Sequence, residues 1–249
     1  MSPVAVTTVV PLAQNGPVIP NFGRGDECIR NNGKFCLHWF LDNFDERFLP
    51  RVGEHLKMTA IAIVVGFVIA FAAALLAHRH TRFELPFANV ASLFYTVPSI
   101  AFFQIMVPIT GIGWTSIEIA LVSYTLLILF RNILTGLREV PVEVKEAAEG
   151  MGLTRRQTLL RVELPLAIPA IIAGLRVATV TTISLATIAA FITPLGLGAP
   201  IFSAIQTGAN TEFVGASLLA IALALVADVV IVLFQRMVSP WTRARRQAA

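Results

Sequence analysis

The chain has 249 residues, of which 56% are hydrophobic and only 14% charged, with a net charge of +4 and a mean hydropathy of +0.75. An ordinary soluble domain carries roughly a quarter charged residues, so the composition excludes one and specifies an all-α integral membrane protein. No nucleic-acid partner is expected.

Residues 1–54 read as an extracytoplasmic tail followed by an interfacial helix. The first twenty positions are apolar but lack a basic start and are broken by Pro11, Gln14, Asn15, Gly16 and Pro17, which argues for a mobile tail over a signal peptide or a span. Cys28 and Cys36 are the only cysteines. Outside the cytoplasm a disulfide between them is chemically allowed, and two free thiols are the equal alternative, because spacing alone does not set the geometry. Phe35, Trp39, Phe40, Phe44 and Phe48 recur at near-helical spacing among acids and Arg47, as in a helix lying at the membrane surface.

A transmembrane region follows over 55–237, with five crossings expected near 56–78, 86–110, 115–135, 166–192 and 213–236, and a basic tail over 238–249. Each apolar run is long enough, at about 1.5 Å per residue, to cross roughly 30 Å of hydrocarbon. Lys and Arg decide the orientation, because short loops rich in them stay in the cytoplasm. Arg79, Arg82, Arg138, Lys145, Arg155, Arg156, Arg161 and the tail arginines fall on one side, while the opposite loops, Gly111 to Ile117 and Thr193 to Glu212, have neither Lys nor Arg. The loop over 138–165 and the C-terminus are therefore expected in the cytoplasm, and the N-terminus outside.

Pro98 within the second span removes a backbone donor and frees a carbonyl, which is tolerated in a bilayer when satisfied internally or when it lines a cavity. Tyr95, Thr96, Pro98 and Ser99, with Phe191 of the fourth span, are the candidate translocation path; a structural kink is the equal alternative. Arg176 and Asp228 lie inside spans, where ionisable groups usually pair, and are expected to form a salt bridge. Thr179, Thr181, Thr182, Ser184 and Thr187 are expected to join helices across an interface more than to line a pore.

The loop over 138–165 is a polar island. Pro141 precedes a run rich in Glu, Lys and Ala; Gly150 and Gly152 can take the positive φ that ends a helix. Thr154 and Gln157 then have the form of a capping box. A helix, turn, helix element results, the second helix stopping near Pro165. Such an element suits docking better than catalysis.

Glu146-Ala147-Ala148, then Gly152, then Val162-x-Leu164-Pro165 is similar to the signature E-A-A-x3-G-x9-I-x-L-P of the permease subunits of type I ABC importers, with Val for Ile. The resemblance implies a coupling helix seated on a separate cytoplasmic ATPase. Glu146 would engage that ATPase, Ala147 and Ala148 would allow close packing, Gly152 would make the turn, and Leu164-Pro165 would lead into the span. It further implies a second permease subunit, identical or related, and an extracytoplasmic substrate-binding protein.

Gly53-Glu54-His55-Leu56, Tyr95 to Ala101 and Ala186 to Ile192 resemble the glycine betaine, carnitine and choline branch, which implies a quaternary ammonium solute. Thr193-Pro194-Leu195 before Gly196-Leu197-Gly198 departs from that branch, so an ABC permease for a different small solute is the alternative. Remoter readings are a secondary transporter, disfavoured by the lack of an inverted repeat, and a membrane enzyme, disfavoured by the absence of HExxH, G-x-S-x-G or a metal-spaced His and Asp set. No P-loop is present, so ATP hydrolysis belongs to the partner; no catalytic residue, metal or cofactor is assigned to this chain.

Overall fold

The computed structural model describes residues 27–239. The expected N-terminal tail and nearly all of the basic C-terminal tail lie outside the described residues. Within them every regular element is helical.

Two short helices, α1 (Glu27–Arg30) and α2 (Leu37–Asp42), and a π turn over Phe44–Phe48 lead directly into α3 (Leu49–Arg79). A 3-10 turn, Thr81–Phe83, opens α4 (Glu84–Thr96), followed by α5 (Ser99–Thr110) and α6 (Trp114–Arg138). Then come α7 (Val142–Gly150), α8 (Arg155–Thr158), a π turn over Leu159–Glu163, and α9 (Leu164–Ala189). The last two are α10 (Gly198–Thr207) and α11 (Asn210–Val238). Four continuous helices are long and apolar enough to cross a membrane, and the bent pair α4–α5 makes a fifth if it counts as one crossing.

That pair departs from the single straight second span expected near 86–110: the chain bends by 102° between its two arms. Pro98 has no N–H and drives the residue before it out of helical geometry, and Val97 is accordingly extended at φ −64° and ψ 131°. Two further differences concern helix ends. The first long helix starts at Leu49, ahead of the expected 56, carrying Arg51, Glu54 and Lys57 in its first turns. The helix begun at Arg155 does not stop near Pro165 but runs on without a break to Ala189. The widened π turn over Leu159–Glu163 takes up the clash that Pro165 would cause in regular α geometry.

The core is built on α3, α6 and α9. Ala70, Ala73, Ala74 and Ala77 of α3 present a flat face to Leu129, Phe130, Ile133 and Leu137 of α6. Without a hydrophobic drive between helices in lipid, close approach supplies the packing energy, and small residues permit it. Glycines mark the closest points: a Cβ at Gly66 would lie 1.9 Å from Thr125 Oγ1, and one at Gly174 would lie 2.4 Å from Asn132 Cβ.

The N-terminal unit folds back onto the start of α11. Cys28 and Cys36 are joined by a disulfide with Cα atoms 5.9 Å apart. Asn32 donates to Gly208 O at 2.7 Å, and Thr211 Oγ1 accepts from Cys36 N at 3.0 Å. Trp39 and Phe48 are buried, and the Phe40 ring fills the space left by Gly215. The aromatic row is thus consumed in packing against α11, and Leu37, Leu41 and Leu49 are what remain exposed.

Candidate functional site

The loop between α6 and α9 is set by local chemistry. Pro141, extended at ψ 141°, precedes α7 and leaves Val142 to begin it. At its other end Gly152 stands at φ +85°. Its N–H donates to Glu149 O at 2.9 Å, and Leu153 N–H donates to Ala148 O at 3.1 Å, the paired closure of a Schellman motif. Thr154 then caps α8: Gln157 N–H donates to its hydroxyl, and its own N–H donates to Gln157 Oε1 at 2.9 Å.

On this frame the signature residues divide. Ala148 is buried against the chain itself, whereas Glu146 and Ala147 are exposed. Among the described residues the Glu146 carboxylate has no partner. Glu143, Glu146 and Glu149 repeat at three-residue spacing along α7, Arg155, Arg156 and Arg161 follow it, and Val142 and Met151 are 62% and 74% exposed. The surface therefore offers acids, arginines and apolar side chains together, a mixture suited to binding a folded protein.

Leu164 and Pro165 occupy the start of α9, just past the π turn. Glu163, the unspecified position of the signature, does more than its place in the motif suggests. Its carboxylate is buried and meets His78 Nε2 at 2.6 Å and Lys145 Nζ at 4.0 Å. Lys145 also donates to Leu137 O at 3.4 Å. One acid thus ties the end of α3, the end of α6 and the exposed helix α7 to the start of α9. Nothing in its sequence context distinguishes it, because the pairing depends on His78, far away in the chain. At the same end of the bundle Arg138 holds Glu84 through two bonds of 2.9 and 2.5 Å.

In mid-bundle, Arg176 Nε and Nη2 donate to Asp228 Oδ1 and Oδ2 at 2.8 and 2.9 Å, a bidentate bridge between α9 and α11. The hydroxyls around it behave otherwise than expected. Thr179, Thr182, Ser184 and Thr187 donate to carbonyls four residues back in α9 itself, not across an interface, a local alternative always open to Ser and Thr in helices.

At the α4–α5 break the freed Val97 carbonyl accepts from Tyr124 of α6 at 2.5 Å. Tyr124 also stands edge-on to Tyr95, with ring centroids 6.2 Å apart, and to Phe102 at 5.6 Å. Tyr95, Thr96 and Pro98 are exposed and Ser99 is half-buried. Phe191 lies elsewhere, 53% exposed and edge-on to Phe202 of α10. A groove of about 390 Å³ runs between α9, α10 and α11, lined by Ser184, Thr187 and Ser217 among Ile and Ala side chains; none of Tyr95, Thr96, Pro98 or Ser99 lines it. Glu118 escaped notice in the sequence because it sits singly in an apolar run; both of its oxygens are buried without a hydrogen-bond partner among the described residues.

Residues 58–244 match the family model of the binding-protein-dependent transport system inner membrane component. The chain belongs to that family. It is 32% identical over 201 residues to a glycine betaine/carnitine/choline transport system permease protein of Bacillus subtilis, covering 81% of this chain and 93% of the relative. A second relative is the ergothioneine transport permease/ergothioneine binding protein of Helicobacter pylori, 38% identical over 153 residues, which are 61% of this chain and 27% of that protein. The fold matches that of the MetNI methionine ABC transporter in an inward facing form at a TM-score of 0.68, with 21% identity over 81% of this chain and 97% of the other. The protein is thus an ABC importer permease, a transport component with a multi-pass membrane fold.

Proposed function

We propose that this permease forms half of a translocation pore that admits a small trimethylammonium solute, driven by a separate ATPase that docks on α7 and α8. The observation that carries the docking reading is the form of that element: a helix closed by Gly152 at φ +85°, anchored from beneath by Glu163, His78 and Lys145, with the Glu146 carboxylate unpartnered on its exposed side. Packed elements shift as units, so movement imposed on α7 passes to α9 and α3. Glu146 and Ala147 face the ATPase, Ala148 seats the helix on the permease, and Leu164 and Pro165 carry the motion into the span.

A second pore subunit, identical or related, completes the channel, and an extracytoplasmic binding protein delivers the solute. In this arrangement α7 and the C-terminus are cytoplasmic, α1, α2 and α10 are outside, and α4–α5 make one broken crossing. Tyr95, Thr96, Pro98, Ser99 and Phe191 border the path. Their aromatic faces attract a quaternary ammonium by about 0.5–2 kcal/mol, weak enough to release it.

Glycine betaine, carnitine, choline and ergothioneine all carry a trimethylammonium group, which is why that group, and not one compound, defines the proposed cargo. The Helicobacter pylori relative, at 38% identity, supports counting ergothioneine among the candidate solutes of that class. The test is ATP-dependent uptake of each labelled compound by vesicles containing the permease, its ATPase and its binding protein. Uptake of at least one is expected, abolished when ATP is withheld. Uptake driven by an ion gradient without ATP, or accumulation only of solutes lacking the group, would overturn the proposal.

A further inference from the structure

Three side chains on the first turns of α3 hold the loop between α9 and α10 by its backbone. Arg51 Nη1 donates to Glu54 Oε2 at 2.9 Å and to Pro194 O at 3.0 Å. The same Glu54 oxygen accepts from Gly196 N–H at 2.9 Å. His55, fully buried, accepts from Leu197 N–H at its Nδ1, 3.3 Å away, and faces Ile183 O with its Nε2 at 3.1 Å. An amide donor on one ring nitrogen and a carbonyl acceptor on the other require the neutral tautomer that carries its proton on Nε2. The loop is shaped to receive these groups. Gly196 stands at φ +60°, and a Cβ there would lie 2.9 Å from His55 Nδ1 and from Met58 Cε. A Cβ at Gly198 would lie 2.1 Å from Thr187 O.

The other end of α9 is bound to the same helix by the contact between His78 and Glu163. Helix α3 therefore grips α9 at both ends. Opening the upper grip would strand a buried imidazole and a half-buried carboxylate without partners, which is costly in an apolar surrounding.

We propose that Arg51, Glu54 and His55 are positioning residues that lock the outer end of α9 to α3 throughout the transport cycle. Motion imposed at α7 then reaches the outer face as displacement of one rigid body. On this proposal the lock is a coupling device, not a gate: the loop over 193–198 stays on α3 when solute passes. This rests on the importer reading above, and wild-type uptake in the same vesicles tests that reading separately; the lock is judged only by variants relative to wild type.

Two arms test it. In the first, Glu54→Ala and His55→Ala are expected to keep ATP hydrolysis near the wild-type rate while lowering uptake by about tenfold, the ratio expected when one buried hydrogen bond no longer transmits motion. Glu54→Gln, which keeps an acceptor for Gly196 N–H, is expected to recover most of the uptake. In the second, Arg51→Cys combined with Pro194→Cys is bridged by a reducible thiol-specific linker about as long as an arginine side chain. Arg51→Cys alone, treated identically, controls for the disulfide between Cys28 and Cys36. Bridging, which replaces the lost Arg51 contact by a covalent one, is expected to keep uptake at or above that of the unbridged double variant. Uptake that stops on bridging and returns on reduction would show the loop parting from α3 and would overturn the lock. Equal loss of hydrolysis and uptake in the alanine variants, with no recovery in Glu54→Gln, would reduce the cluster to a folding element and overturn it as well.

Discussion

At the scale of single residues, the loop between α6 and α9 depends on two positions for different reasons. Gly152 is conformational: at φ +85° with open space around it, it needs no room for a side chain, only freedom from the Cβ penalty. Gly152→Val is expected to destabilise the turn by about 1–2 kcal/mol, and Gly152→Asn by much less, because Asn tolerates the left-handed region. Protease sensitivity of the loop in membranes measures both. Glu146 is chemical: exposed and unpartnered among the described residues, it contributes little to folding. Glu146→Lys is expected to leave insertion intact while copurification of the ATPase, and with it uptake, falls about tenfold or more, since reversing a charge at a protein contact removes an attraction and adds a repulsion. The turn at Gly152 was legible in the sequence because turn chemistry is local, and motif spacing is what singled out Glu146.

At the scale of elements, the helices meet through glycines and through a few polar bridges. Gly66→Leu would drive a side chain into Thr125 of α6, where even a Cβ has no room; a cost of about 1–3 kcal/mol or more is expected from such overpacking, read as loss of the folded fraction in detergent. Glu163 links Lys145 of α7 to His78 of α3, so His78→Ala, which leaves that buried carboxylate only Lys145 at 4.0 Å, is expected to cost about 1–3 kcal/mol. The accompanying signature is hydrolysis that continues while uptake drops. For Arg176 and Asp228, reversing either charge alone is expected to lower the yield of folded permease, and exchanging the two residues to restore most of it. Unchanged yield in both single variants would remove any role for the bridge. The pair itself could be anticipated because intramembrane charges seek each other; the Glu163 group could not, because its members are spread over three helices.

At the scale of the whole molecule, the arrangement implies a sidedness that can be measured. Met151→Cys, on the exposed tip of α7, is expected to react with a membrane-impermeant maleimide only in inverted vesicles, and Leu37→Cys only in right-side-out ones. Reaction of both from the same side would show that α4–α5 re-enters the membrane and returns, not that it crosses. The stapled N-terminal unit and α10 both belong to the outer end in this orientation. Neither was visible as packed structure beforehand: the aromatic row resembled a surface helix, and the segment from Thr193 to Glu212 resembled a loop. Gly208 at φ +71° and Pro200 in the first turn of α10 were the local signs of a helix there.

Composition alone made this chain a membrane protein, and periodicity and charge placement located the long helices and the polar loop, because burial in lipid selects for long apolar runs and turns are made by adjacent residues. The signature spacing identified the family for the same reason: it lies within twenty consecutive residues, Glu146 to Pro165. Only the tertiary structure decided how far α4–α5 bends, that the α9 hydroxyls bond within their own helix, and that Glu163 and the Arg51, Glu54 and His55 cluster tie α3 to both ends of α9. Those contacts join residues separated by 85 positions for His78 and Glu163 and 142 for His55 and Leu197. A side chain carries no record of so distant a partner until the helices have packed.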